Sequence, residues 1–341
     1  MHFHNTKATL IEKGNVVLIE EEICNCPADS VIVEVAYCGI CGSDLPRFFD
    51  GKIHFYPIVL GHEFSGKIVN VGDDVQDFKE GDFVAGIPLI PCMSCNSCRT
   101  GNYQLCESYS FTGSRTDGAF QRYIIVKSEN VIKLDPKVDL LDAAFIEPLT
   151  VAIHAAKLAQ KDLSKRSNIV IFGYGVIGYC LSVYLLHKGF SNITVVTNSE
   201  KHKNLSEQLG ITRFLTVDKY YSRGECDVLF DCTPASNALE TVLPFMNSKG
   251  TVIIIGSKFQ DCVISSSSFG LIQRKELKIF GSWMSYSSPW PGDEWMQAVD
   301  VLYCKKGNFK SLVQKIYPLE QTNEAFEAVR TFGPKILISP N

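Results

Sequence analysis

Ser167-Asn168-Ile169-Val170-Ile171-Phe172-Gly173-Tyr174-Gly175-Val176-Ile177-Gly178 is the stretch whose reading decides the fold. Ser167–Phe172 reads as a strand buried on both faces, because its apolar residues are consecutive rather than alternating. Val176–Leu186 reads as a helix. A G-x-G-x-x-G spacing alone is a weak signal, but between a strand and a helix it is a dinucleotide fingerprint. Its first glycine makes the tight turn and its second lets backbone approach a pyrophosphate. The third lets the helix pack closely, and the free N–H groups of the helix start favour phosphate. The predicted site therefore comprises Gly173, Gly175, Val176, Ile177 and Gly178.

Downstream, strands at Ile193–Val196, Val228–Asp231 and Thr251–Gly256 surround a polar helix at Glu200–Leu209. Strands alternating with helices indicate an α/β fold with a doubly wound parallel sheet over residues 150–285. The second strand ends Val195-Val196-Thr197-Asn198-Ser199, without the carboxylate that usually holds the adenosine ribose. Lys201 and His202 follow. Thr197, Asn198, Ser199 and Lys201 extend the cofactor site, and the missing acid admits NAD or NADP while tipping the choice toward NADP.

Upstream, Lys7–Glu12, Val16–Glu20, Val31–Tyr37, Gly66–Val71 and Asp82–Ile87 read as short strands between turns, giving a mostly β domain over residues 1–149. Mixed structure resumes at 286, with a helix at Glu294–Cys304 and a last strand near Lys335–Ile338. A net charge of -4 provides no basic field for nucleic acid. The N-terminus lacks the apolar core of a signal peptide, and no run approaches the ~20 apolar residues of a membrane span. A cytoplasmic protein is expected.

Cysteine usage is informative: of 13 in the chain, Cys92, Cys95, Cys98 and Cys106 fall within one irregular loop at 88–118. In a reducing compartment, such clustering predicts metal rather than disulfides. Four thiolates suit a closed structural zinc, with an iron–sulfur cluster as the competitor. Dispersed candidates are Cys41 in Cys38-Gly39-Ile40-Cys41-Gly42-Ser43-Asp44, His62 and Glu63 in Gly61-His62-Glu63-Phe64, and Glu147 in Ile146-Glu147-Pro148. Thiolate, imidazole and carboxylate are competent ligands for a catalytic zinc with an open position. Each also has a plain structural explanation, and spacing alone does not bring them together.

Gly39–Leu45, Gly61-His62-Glu63, the four-cysteine lobe, Asp117-Gly118-Ala119-Phe120, Glu147-Pro148 and the glycine fingerprint occur in the order found in zinc-containing medium-chain dehydrogenases. The sequence resembles the polyol dehydrogenase branch of that family along essentially its whole length. The resemblance implies a GroES-like domain at 1–149, completed by 286–341, and a Rossmann domain at 150–285. It implies that Cys41, His62 and Glu147 hold a catalytic zinc, with Glu63 as a nearby alternative, and that a second, structural zinc sits in the lobe. Ser43 matches a relay hydroxyl, but Pro46 stands where a relay histidine is found, so the proton path would run through water and Glu63. The implied reaction is oxidation of a secondary alcohol of a polyol phosphate, with Arg115, Arg47, Tyr56 and Trp283 as substrate residues and a homodimer or homotetramer as the assembly. An unphosphorylated polyol is the enzymatic alternative, and a non-catalytic zinc- and nucleotide-binding protein the alternative of another class.

Overall fold

A computed structural model describes residues 2–198, 200–220, 225–330 and 333–340. The chain divides into two compact units, one of Met1–Glu147 with Tyr286–Asn341 and one of Pro148–Ser285.

The second unit is built on six strands: β1 (Ile169–Phe172), β2 (Ile193–Thr197), β3 (Arg213–Thr216), β4 (Cys226–Asp231), β5 (Met246–Ile254) and β6 (Lys278–Gly281). All pair in parallel, in the order β3-β2-β1-β4-β5-β6. This is the doubly wound dinucleotide-binding order, in which the strand sequence reverses between β1 and β4. Every residue of β1 is buried, as its continuous apolar run requires. Helix α1 (Val176–His187) follows it and is buried from Gly178 to Leu185. Two strands, β3 and β6, are absent from the sequence reading. They lie at the sheet edges; β6 is largely exposed and β3 buries only Phe214, so neither carries the apolar run of a central strand. The polar helix read at Glu200–Leu209 is shorter, spanning Lys203–Gln208.

The turn between β1 and α1 is shaped by close approach. Gly173 has a φ of 96°, in the region that glycine adopts without strain. A Cβ added to Gly178 would lie 2.3 Å from the Gly173 carbonyl oxygen.

In the first unit, Ser30–Gly39 lies at the centre of a seven-stranded sheet. It pairs antiparallel with Glu63–Val71 on one side and with Lys335–Ser339 on the other, so the C-terminal segment completes the sheet. A second sheet carries Asn15–Ile23, Phe3–Glu12 and Ile58–Val59. Val31, Val33 and Val35 face a core that includes Phe120 and a Phe48–Phe326 stack with centroids 4.2 Å apart. Among the described residues, no helix is long and apolar enough to cross a membrane.

Gly178→Ala should lower stability by about 1–3 kcal/mol, because a methyl group must displace backbone. At Gly175 a Cβ would meet nothing within 4 Å, and its alanine variant should stay within about 1 kcal/mol of the parent. Denaturant unfolding checks both, and equal losses would remove the close-packing explanation.

Candidate metal centres and nucleotide site

The loop read as a cysteine lobe folds back on itself through a short helix at Asn96–Arg99 and a turn at Tyr103–Leu105. The four sulfur atoms of Cys92, Cys95, Cys98 and Cys106 all lie within 4.8 Å of one another, as free thiols. Cys92 Sγ is 3.9 Å from Cys98 Sγ, and Cys95 Sγ is 3.9 Å from Cys106 Sγ. A tetrahedral zinc with bonds of about 2.3 Å requires sulfurs roughly 3.8 Å apart, so the cage has the right size. The Ser94 hydroxyl and amide, with the Cys95 amide, hold the Cys92 thiol down at about 6. Burial and the neighbouring thiols push Cys98 up to about 12. Four sulfurs gathered at this spacing suit a metal dication, which a thiolate cage would hold.

The second cluster follows from strand register. Gly39 pairs with Glu63 across the antiparallel strands, which sets Cys41, just past one strand end, beside His62, just before the other. Donor atoms of Cys41, His62 and Glu63 lie within 4.8 Å of one another. His62 is buried, and its Nδ1 is 3.6 Å from Asp44 Oδ1, beyond hydrogen-bond length, so this ring nitrogen has no hydrogen-bond partner. A buried imidazole nitrogen left this way, next to a thiol and a carboxylate, fits a metal ligand. Burial, with the charges of Glu63 and Asp44, raises the Cys41 pKa.

Glu147 lies in the first turn of a helix at Ile146–Leu158 and is not a member of that three-residue group. It shares the same electrostatic neighbourhood. Burial pushes its carboxyl up to about 7, with His62 and Lys335 opposing the rise and Glu63 and Asp44 adding to it.

Two participants escaped the sequence reading. Lys335 begins the last strand and forms a fully buried ion pair with Glu63, while donating to the Ile40 carbonyl at 3.1 Å. Gly39 makes room for this pair, since a Cβ there would lie 2.4 Å from Glu63 Oε2 and 2.5 Å from Lys335 Cε. Burial acts to lower the Lys335 pKa, but Glu63, Cys41 and Glu147 raise it above its ordinary value. Asp44, also fully buried, accepts from the Cys41 amide at 3.0 Å and from Arg47 Nη1 at 2.8 Å. Nothing in the spacing of Lys335 marks it, because 272 residues separate it from Glu63.

The residues read as substrate contacts differ in exposure and in partners. Arg47 is held by Asp44 and, at 3.1 Å, by Ser43 Oγ. Arg115 donates to the Tyr109 carbonyl at 2.7 Å and to His54 Nε2 at 3.3 Å, with its guanidinium 3.9 Å over the Tyr109 ring. Nη1 of Arg47 and the Nε and Nη1 of Arg115 are thus engaged within the protein. Tyr56 and Trp283 are exposed. Tyr286, by contrast, is buried between Trp290 and Trp295 and accepts a hydrogen bond from the Leu89 amide. Glu63, expected to carry protons, is committed to Lys335.

In the second unit, Gly175 is exposed at the start of α1, with Val176 and Ile177 half-buried behind it. A pocket of about 500 Å³ opens beyond β2, β4 and β5, with Asn198 on its wall. Thr197 ends β2, Lys201 is exposed, and Ser199 lies outside the described residues. Thr233–Asn237 and Phe259–Gln260 complete the pocket; their signal is only that they follow apolar strands, where ligands of such sheets bind.

Residues 27–136 match the alcohol dehydrogenase GroES-like domain, and residues 176–302 match the zinc-binding dehydrogenase domain. Galactitol 1-phosphate 5-dehydrogenase from Escherichia coli is 38% identical over 307 residues, covering 84% of this chain and 88% of its own. Sorbitol dehydrogenase from Bacillus subtilis is 30% identical over 357 residues, covering 99% of this chain and 96% of its own. The crystal structure of galactitol-1-phosphate dehydrogenase from Escherichia coli aligns with a TM-score of 0.90 at 35% identity, over 98% of this chain and 100% of that one. With both domain types present in sequence and in fold, the chain belongs to the zinc-type alcohol dehydrogenases of the medium-chain family, among relatives that are polyol dehydrogenases.

Proposed function

We propose that the protein oxidises a secondary alcohol of a polyol phosphate to the ketose phosphate, with reduction of NAD or NADP. The observation that carries this reading is the buried His62 nitrogen without a hydrogen-bond partner, grouped with Cys41 and Glu63 and in the field of Glu147. In this reading Cys41, His62 and Glu147 hold the catalytic zinc, and Cys92, Cys95, Cys98 and Cys106 hold the structural one. Zinc in the first position supplies Lewis acidity that lowers the pKa of an alcohol oxygen. Glu63 is already paired with Lys335, whereas burial pushes the Glu147 carboxyl up to about 7 against the opposing charges of His62 and Lys335, so that a bound cation would stabilise its ionised form. That contrast favours Glu147 as ligand and Glu63 as its neighbour.

The chain's own residues then have distinct tasks. Asp44 fixes the Cys41 backbone, and Arg47 fixes Asp44 and accompanies Ser43. Ser43, exposed two residues past Cys41, offers a hydroxyl that can pass a proton to solvent. The glycine turn and the start of α1 would bind the cofactor pyrophosphate. No carboxylate occupies Thr197 or Asn198, which leaves room for a 2′-phosphate and favours NADP.

The phosphate on the substrate is supported by the 38% identical relative. A second reading, an unphosphorylated polyol, is favoured by the sorbitol relative and by the prior engagement of Arg47 and Arg115.

Elemental analysis should find two zinc ions per chain. His62→Ala should remove one with folding intact, and Cys98→Ser with Cys106→Ser should remove the other and lower the unfolding midpoint; a single zinc in the parent protein would refute the two-site assignment. For galactitol 1-phosphate against galactitol, charged hydrogen bonds worth about 1.5–3 kcal/mol predict a kcat/KM ratio of roughly 10–150. Equal values in steady-state assays would eliminate the phosphate, leaving the polyol reading in place.

A further inference from the structure

Asp231 is the last residue of β4 and is fully buried. In register it stands beside Phe172 of β1, immediately before the glycine turn, and beside Ile254 of β5. It therefore sits at the point where the strand order reverses, against which a dinucleotide lies in folds of this kind. One of its carboxylate oxygens accepts from the Thr233 amide at 3.1 Å, and the other accepts from Lys258 Nζ at 2.7 Å. Lys258 Nζ also donates to the Thr233 carbonyl at 2.6 Å. Thr233 itself is wedged between two glycines: a Cβ on Gly173 would meet its Cγ2 at 2.7 Å, and a Cβ on Gly256 would meet its carbonyl oxygen at 2.1 Å. The loops following β1, β4 and β5 thus converge on Thr233, and Lys258 is the cation at their junction. Thr233 on one side and Phe259, the neighbour of Lys258, on the other both line the 500 Å³ pocket.

A buried carboxylate at this position is a liability for a site that takes a pyrophosphate. Two anions in a poorly solvated edge repel at ranges where solvent screening is weak. Burial already drives the Asp231 carboxyl upward, against the lowering exerted by Lys258 and Thr233. We propose that Lys258 is a positioning residue for the dinucleotide: paired with Asp231, it cancels the negative charge beneath the cofactor and holds the Thr233 loop against the glycine turn. This rests on the reading that the second unit binds NAD or NADP.

The two partners predict effects of opposite sign, which a merely structural role would not produce. Lys258→Met leaves the carboxylate uncompensated and should weaken binding of NADH and of ADP-ribose roughly five- to twenty-fold. Asp231→Asn leaves the cation unbalanced beside an anionic ligand, so both ligands should bind at least as tightly as to the parent protein. Lys258→Arg should remain within about threefold of the parent. Dissociation constants from calorimetry with ADP-ribose and from NADH fluorescence, at low and at high salt, supply the readout. Should Lys258→Met fail to fold, the sign of the Asp231→Asn effect still decides. Parent-like binding by Lys258→Met, or weakening by Asp231→Asn, would overturn the proposal. Failure of the parent protein to bind NADH, NADPH or ADP-ribose would instead remove the cofactor reading beneath it.

Discussion

Pairing of Gly39 with Glu63 across two antiparallel strands is the constraint on which the proposed catalytic centre depends. A register shift of one residue would turn Glu63 to the opposite face of the sheet and carry Cys41 and His62 apart. The register is fixed on both sides, because Lys335 enters from the neighbouring strand and meets Glu63 over the bare Cα of Gly39. Such a buried ion pair adds little net stability, since desolvation offsets its attraction. It does oppose alternatives, because any arrangement that separates the partners leaves a charge in the core. Asp44 acts similarly one step away, tying the Cys41 backbone to Arg47.

The two clusters of candidate metal ligands are built on different principles. The four-sulfur cage is closed within one loop between Cys92 and Cys106, and its geometry is set locally by amide donors and short turns. The other draws on a strand end, a strand start and, for Glu147, a helix start. The first can form wherever its loop is intact, whereas the second exists only when the sheet does.

That difference explains what could be read from the sequence. The glycine turn and the cysteine lobe announce themselves because their residues are close in the chain and each spacing, in its local setting, has few physical uses. Cys41, His62 and Glu147 became a set only through family resemblance, as no local pattern links them. Lys335 and Asp44 were missed because a lysine opening a strand and an aspartate after a turn look ordinary until their burial is known. Arg47 and Arg115 were singled out by their charge; the structure adds that Arg47 Nη1 meets Asp44 and Ser43 and that Arg115 meets Tyr109 and His54. Edge strands such as Arg213–Thr216 were missed because a four-residue strand with one buried side chain, Phe214, lacks the apolar run that marks a central strand.

The place of Lys335–Ser339 beside Ser30–Gly39 bears on biosynthesis. Emerging from the ribosome, the contiguous unit Pro148–Ser285 has all its sheet partners once β6 has cleared the exit tunnel. The first unit, although its amino-terminal strands appear earliest, must keep a gap in its central sheet until translation has passed residue 339. A nascent chain would therefore acquire its nucleotide-binding half first, leaving Glu63 without its lysine until that later strand has emerged.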